Sequence, residues 1–223
     1  MPAGLSGFFY ETSAGRQFLP AFTPAEAADG SRRAQVAMPD GRVVSFLVKR
    51  EGNNSEVSLT AKPDSGIVKW GLAMEAKADE YFTGLMERVV DGPQTASWAP
   101  DITGALNLRG QKVEMILKPT TSVYAPFYIS SRNYAVFVKG NWPGFFDFCA
   151  SDPQRVKIEF EGPSFRMKIY TAKNPAALVT AHALDAGPPV LPPKWMYLPW
   201  RWRDENRQRN AYYDGTPVTG PFN

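Results

Sequence analysis

The stretch Tyr124 to Val138, YAPFYISSRNYAVFV, decides the fold because it is the longest apolar run in the chain and consists almost wholly of strand-forming residues. Phe127 to Ile129 follow Pro126, and proline suits the first position of a strand. Tyr134 to Val138 has the same aromatic and β-branched character. The residues between them, Ser130 to Asn133, are polar and tolerate the backbone of a tight turn. The stretch therefore predicts a buried β-hairpin.

Short apolar segments separated by turn signals lie on both sides of this hairpin. Pro39-Asp40-Gly41-Arg42 is a strong turn sequence, and a second Pro-Asp turn follows at residues 63–66. Repeated short strands of this kind are typical of a mainly β protein built as an antiparallel β-sandwich. The predicted strands are Gln17 to Phe22, Ala34 to Met38, Val43 to Lys49, Val57 to Ala61, Val68 to Ala76, Lys112 to Leu117, Val156 to Phe160 and Phe165 to Thr171.

One helix is predicted after the last of these strands. Asn174 is a suitable N-cap and Pro175 suits the first helical position, so the helix is expected to run from Pro175 to about Leu184. It carries His182, the single histidine of the chain. Without a second histidine or a cysteine nearby, His182 is expected to have a surface or packing role.

The composition excludes several classes of partner. The 223 residues include 25 basic and 22 acidic ones, for a formal net charge of +3, and they contain no run of lysine or arginine. We therefore expect neither nucleic acid nor an anionic membrane as partner. The N-terminal residues have no basic region and no apolar run long enough for a signal peptide or a membrane span. If Met1 is the native start, this predicts a cytoplasmic protein, whereas a truncated start would indicate no location.

The cysteine content excludes an internal disulfide. Cys149 is the single cysteine and lies in the apolar sequence GFFDFCAS, so it is expected to be a buried, inert thiol. No group of cysteines and histidines has the spacing of metal ligands. The sequence therefore predicts no cofactor and no metal site.

Three stretches in order along the chain resemble glycoside hydrolase family 31, the α-glucosidase and α-xylosidase family. The first is the hairpin with its proline, aromatic residues and paired serines. The second is Asp79 to Asp91, DEYFTGLMERVVD, which is similar to an acidic and aromatic signature of the family. The third is Val190 to Trp195, VLPPKW, which resembles the junction between the N-terminal β-sandwich of the family and its catalytic barrel.

This resemblance implies a domain organisation. Residues 1–185 would form a sandwich of the galactose-mutarotase-like kind, residues 186–193 a proline-rich linker, and residues 194–223 the beginning of a (β/α)8 barrel. A complete barrel takes roughly 250 residues, so residues 194–223 are expected to hold only its first strand. The family uses two aspartates of the barrel for retaining hydrolysis of α-linked glucosides or xylosides. No stretch here resembles the nucleophile motif, and this chain alone is expected to be inactive.

The resemblance also implies residues that contact substrate. The sandwich domain of the family sends a loop towards the sugar site, and Thr121 stands where a sugar-binding hydroxyl is expected. Trp200 and Trp202 would lie on one face of the first barrel strand and line the sugar pocket. The implied ligand is an α-linked oligosaccharide or glycoside, and the full-length enzyme could form a homo-oligomer.

Three other functions are compatible with parts of the sequence. A stand-alone carbohydrate-binding module would stack sugars on Trp98, Trp142 or Trp200. An aldose epimerase on the same fold is disfavoured, because such enzymes need a histidine with a glutamate and His182 stands alone. The domain could also be a structural cap on a barrel, since fold does not determine function.

Overall fold

The computed structural model describes residues 4–86, 107–115, 124–187 and 191–194, which contain two antiparallel β-sheets and one α-helix. The six-stranded sheet has the spatial order β2 (Gly15–Phe18), β1 (Leu5–Thr12), β7 (Ile67–Glu75), β13 (Arg155–Glu161), β12 (Gly144–Phe148) and β9 (Gln111–Met115). The eight-stranded sheet has the order β3 (Ala25–Glu26), β4 (Arg32–Ala37), β5 (Val43–Glu51), β6 (Asn54–Lys62), β14 (Phe165–Thr171), β11 (Tyr134–Val138), β10 (Tyr124–Ser130) and β8 (Phe82–Met86). The predicted mainly β, antiparallel sandwich is confirmed.

The core lies between the two sheets and is rich in aromatic side chains. Tyr128 of β10 meets Phe146 and Phe148 of β12 edge to face, with ring centroids 5.5 and 5.1 Å apart, and all three side chains are fully buried. Such edge-to-face pairs stabilise the core beyond the burial of their surface. The contacts join the predicted hairpin directly to the opposite sheet.

The predicted hairpin forms from β10 and β11, but β10 begins at Tyr124, so Pro126 is its third residue and not its first. Phe127 pairs with Phe137 and Ser130 with Tyr134, and the amide of Asn133 donates to the Ser130 carbonyl at 3.1 Å. Asn133 has a φ of 60°, a left-handed conformation that asparagine tolerates better than most residues. The polar turn therefore closes the predicted hairpin.

Helix α1 (Pro175–Ala186) covers the outer face of the eight-stranded sheet. The Asn174 side-chain oxygen accepts from the amide of Ala177 at 2.9 Å, which confirms the predicted N-cap. Leu178 is fully buried and packs with Ala135 of β11 and Tyr170 of β14. The helix begins where predicted and continues two residues beyond Leu184.

Two strands of the six-stranded sheet, β1 and β12, were not predicted. Phe8 faces the core. The next residue, Phe9, faces the other side of the sheet and is nevertheless buried, because the guanidinium carbon of Arg16 lies 3.8 Å from its ring centroid. Aromatic residues on both faces hide the alternation that marks a half-buried strand. The strand predicted at Gln17 to Phe22 was also misplaced, because the strand in this region, β2, spans Gly15–Phe18.

Contacts divide the chain into two compact units, residues 1–186 and residues 187–223. Of the second unit, the structure describes only residues 187 and 191–194, so the predicted barrel strand lies outside the described residues apart from Lys194. Within the described part of the chain, no helix is both long and apolar enough to cross a membrane.

Candidate functional site

The candidate site lies at one end of the sandwich, here called the loop end, where two strands of each sheet begin or end. The last residue of β8, Met86, pairs with the first residue of β10, Tyr124. The last residue of β9, Met115, pairs with the first residue of β12, Gly144. Strands β9 and β10, which flank Thr121 in the sequence, therefore end and begin at the loop end, and Thr121 itself lies outside the described residues.

Trp142 lies at the loop end, in the connection between β11 and β12, and is 52% exposed. Its ring rests on Gly162, where a Cβ atom would come within 2.8 Å of the indole nitrogen. Gly162 also has a φ of +118°, which strongly favours glycine. The amide of Glu161 donates to the carbonyl of Pro143 at 2.9 Å and fastens the Trp142 connection to the turn between β13 and β14.

Polar groups surround the exposed indole. Lys139, Glu161, Ser164 and Arg166 line the depression beside it, and the Lys139 ammonium is paired with Glu56 at 2.8 Å. The depression itself has a volume of only about 10 Å³, so the site is a surface platform and not a cavity. A flat aromatic ring flanked by hydrogen-bonding side chains can stack on the apolar face of a sugar and bind its hydroxyls.

Most of the predicted substrate residues fall outside the described residues. These are Thr121, Trp98, Trp200 and Trp202, and their positions stay predictions. Trp142 is the candidate that the structure places, and it is exposed as a stacking residue must be. Cys149 is buried, as predicted, and burial raises the pKa of its thiol, which keeps the thiol protonated at neutral pH.

His182 has the packing role that the sequence predicted. Its ring stacks on Phe127 at a centroid distance of 4.2 Å, and Nδ1 lies 3.2 Å from the Tyr170 hydroxyl. Burial lowers the pKa of His182. Because the Tyr170 hydroxyl donates to Asp185 at 2.9 Å, it accepts from the histidine Nδ1–H. His182 therefore orients a tyrosine and fastens the helix to the sheet.

Lys168 completes this polar cluster under helix α1. Its side chain is only 5% exposed, and its ammonium donates to Asp185 at 2.6 Å and to Glu51 at 2.8 Å. Burial opposes the charge, but these hydrogen bonds prevail and raise the pKa of Lys168. The hydrogen bond from Lys168 lowers the pKa of Asp185. Sequence reasoning missed this cluster, because its members come from β5, β14 and α1.

Glu80 is a second buried charge that sequence reasoning did not identify. It is 3% exposed, accepts from the Ser130 hydroxyl at 2.5 Å, and accepts from the amide of Lys77 at 2.9 Å. Arg109 donates to the carbonyls of Lys77, Glu80 and, at 2.6 Å, Pro153. Glu80 thus joins the hairpin turn to the segment before β8. The signal in the sequence that could have identified Glu80 was its position in the acidic stretch Asp79 to Asp91.

The described residues contain no group of three histidine, cysteine, aspartate or glutamate side chains that could hold a metal ion. The charged clusters of Lys168 and Glu80 connect elements of the fold, and so do the groups around Arg16 with Glu159 and around Asp40 with Tyr10. The loop end with Trp142 is therefore the part of the described surface that best fits the predicted sugar ligand.

No family model matches the sequence. An α-xylosidase from Emericella nidulans is 35% identical over 77 residues, an alignment that covers 34% of this chain and 10% of that protein. A family 31 sulfoquinovosidase from E. rectale, solved with an aza-sugar inhibitor, matches the structure with a TM-score of 0.61 and 14% identity. That match covers 87% of this chain and 32% of the sulfoquinovosidase.

A second solved structure has the same fold. The cycloalternan-forming enzyme from Listeria monocytogenes, in complex with a pentasaccharide substrate, matches with a TM-score of 0.51 and 13% identity over 96% of this chain and 26% of its own. This chain thus spans about a tenth of the α-xylosidase and a quarter to a third of the two solved enzymes. The sequence match to an α-xylosidase, together with the fold that it shares with a family 31 enzyme, makes this chain a relative of glycoside hydrolase family 31.

Proposed function

We propose that this chain supplies the β-sandwich of a retaining α-glycosidase that acts on α-linked glucosides or xylosides. The observation that carries the proposal is the 35% identity to an α-xylosidase, on a chain whose sandwich is shared with a family 31 sulfoquinovosidase. In this proposal residues 1–185 are the sandwich domain, residues 186–193 the linker and residues 194–223 the start of the catalytic barrel.

The proposed role of the sandwich is to support the barrel and to lend it a loop. Thr121 belongs to the segment between β9 and β10, and the last residue of β9, Met115, pairs with Gly144, two residues after the exposed Trp142. Trp200 and Trp202 would contribute from the barrel side. Retaining hydrolysis needs two carboxyl groups about 5 Å apart, one as nucleophile and one as acid and base. The family places both aspartates in the barrel.

An activity assay tests this proposal. Residues 1–223 and the product of the complete reading frame would be assayed on p-nitrophenyl α-glucoside and α-xyloside. We expect turnover by the longer product and none by residues 1–223. In the longer product, Thr121→Ala should raise KM more than it lowers kcat, because the hydroxyl binds the sugar and does not react. A longer product that hydrolyses neither substrate would overturn the proposal.

A second candidate, a carbohydrate-binding module without catalysis, is favoured by the exposure of Trp142 on its platform. This function predicts that residues 1–223 bind an α-glucan with a Kd in the millimolar range and that Trp142→Ala abolishes binding. Tyr81→Ala is the matched control, because Tyr81 is a similarly exposed aromatic residue, 48% exposed, at the other end of the sandwich. Equal binding by both variants would exclude the platform as the sugar site.

A further inference from the structure

A second surface feature lies at the end of the sandwich opposite the loop end. It is an open pocket of about 330 Å³ on the eight-stranded sheet, lined by Glu26, Gly30, Arg32, Val48, Arg50, Asn53, Ser55, Ile169 and Thr171. Thr171 is the last residue of β14, and Phe165, beside the Trp142 platform, is the first. The two sites are therefore six residues apart along β14, a distance of about 20 Å.

Two arginines dominate the charge of this pocket. Arg32 of β4 lies directly opposite Val48 of β5, and Arg50 follows Val48 on the same face of that strand. The two arginines are therefore diagonal neighbours, about 7 to 8 Å apart in a typical sheet. Among the described residues, neither guanidinium forms an ion pair or a hydrogen bond. Two adjacent positive charges thus face the same pocket without a bound carboxylate.

The remaining walls and the floor add the other groups that a small polar ligand needs. Val48 and Ile169 are buried members of the core and give the pocket an apolar floor. Ser55 and the amide of Asn53 are hydrogen-bonding groups on the walls, next to Thr171, whose hydroxyl donates to the Asn53 carbonyl at 2.6 Å. Glu26 supplies the single carboxylate, so the lining carries an excess of positive charge.

We propose that this pocket binds a monosaccharide-sized sugar that carries an acidic group, such as a carboxylate or a phosphate. Guanidinium groups match oxyanions through paired, charge-assisted hydrogen bonds, which assigns the acidic group to Arg32 and Arg50. The Glu26 carboxylate and the side chains of Asn53 and Ser55 would bind the sugar hydroxyls over the apolar floor. The volume lies within the range of small-molecule sites. This site is separate from the loop end and does not depend on the proposed hydrolase function.

Calorimetric titration of residues 1–223 tests the proposal. The ligands are glucuronate, glucose 6-phosphate, neutral glucose, inorganic sulfate and inorganic phosphate, at low ionic strength so that screening stays weak. We expect at least one acidic sugar to bind tenfold or more tightly than glucose and than either inorganic ion. Arg50→Gln and Arg32→Gln should each weaken that binding at least tenfold.

Lys49→Gln is the matched control, because Lys49 precedes Arg50 on β5, is exposed, points to the other face of the sheet and loses the same charge. It should leave the affinity unchanged. Three results would overturn the proposal: no binding of either acidic sugar, binding of glucose as tight as that of the acidic sugars, or the same loss in Lys49→Gln as in Arg50→Gln. Inorganic ions that bind as tightly as the acidic sugars would also overturn it, because the pocket would then hold an ion without recognising a sugar.

Discussion

The two faces of the β10–β11 hairpin are covered in different ways. On the inner face, Tyr128, Val136 and Val138 are buried against the opposite sheet in an aromatic core. On the outer face, Ala135 and Phe137 pack under helix α1, beside the charged cluster of Lys168 and Asp185. Burial of apolar surface dominates the inner face, whereas the helix adds hydrogen bonds and ion pairs to a much smaller apolar contact.

Removing one ring from the inner face should have the largest effect. Phe146 is fully buried and its ring contacts Tyr128, Phe148 and Phe160. Phe146→Ala should lower the free energy of unfolding by about 3 to 5 kcal/mol, because it removes a large apolar side chain and leaves a cavity. Urea denaturation followed by tryptophan fluorescence measures the change. A loss below about 1 kcal/mol would contradict the view that this core carries the stability of the sandwich.

The matching change on the outer face should cost less. Leu178→Ala should lower the free energy of unfolding by about 2 to 3 kcal/mol, since Leu178 is the fully buried apolar residue of helix α1. Hydrogen exchange should show faster opening of the helix than of the strands. Val179→Ala is the control, because Val179 is 49% exposed and its loss should change stability little. Equal acceleration in strands and helix would mean that both faces unfold as one unit.

The N-cap of the helix should contribute less again. Asn174→Ala removes the side-chain oxygen that accepts from the Ala177 amide and should cost about 1 kcal/mol. Asn174→Ser, which restores an accepting oxygen, should recover most of that loss. Thermal unfolding of the three proteins would compare them. If the serine variant is no more stable than the alanine variant, the cap does not support the helix.

The smallest expected effect is a pH dependence confined to the outer face. Burial lowers the pKa of His182 from its usual 6.5, so the unfolded chain binds a proton there before the folded chain does. This contribution to stability is complete above pH 6.5 and declines as the pH falls through the lowered pKa of the folded protein.

Asp185 adds a second decline at lower pH. Its hydrogen bond from Lys168 lowers the pKa from its usual 3.8, so its contribution is complete above pH 3.8 and is lost below. Hydrogen exchange of the helix amides should be faster at pH 5 than the helix stability at pH 7 predicts, because His182 is then protonated more readily in the unfolded chain. His182→Gln should remove this loss of stability and leave the loss due to Asp185 at lower pH in place. A His182→Gln protein with an unchanged loss between pH 7 and pH 5 would assign the loss to another group.

Much of the fold could be predicted from local patterns. The hairpin turn at Ser130 to Asn133 and the cap at Asn174 depend on residues within a few positions of each other, and both were predicted. Strands β1 and β12 were missed because Phe9 and Phe145 face outward and are nevertheless shielded by charged side chains, Arg16 and Lys112. An outward aromatic residue removes the alternation on which strand prediction rests.

The candidate sites were predicted less well, because a sequence shows which residue types are present and does not show which of them lie close together in space. Trp142 was one of the stacking residues predicted for a carbohydrate-binding module, but its contact with Gly162 depends on the pairing of the connections at the loop end. Arg32 and Arg50 gave no signal in the sequence. They share a pocket only because β4 and β5 pair in one particular register.

The sequence by itself therefore determined the class of fold, the central hairpin and the relation to glycoside hydrolase family 31, because strand propensity, turn chemistry and motifs are local properties of the chain. The tertiary structure alone decided which charges are buried together and which surfaces are open. The order and register of the strands pair Lys168 with Asp185 and place Arg32 and Arg50 in one pocket. Both are set by long-range packing that no local pattern encodes.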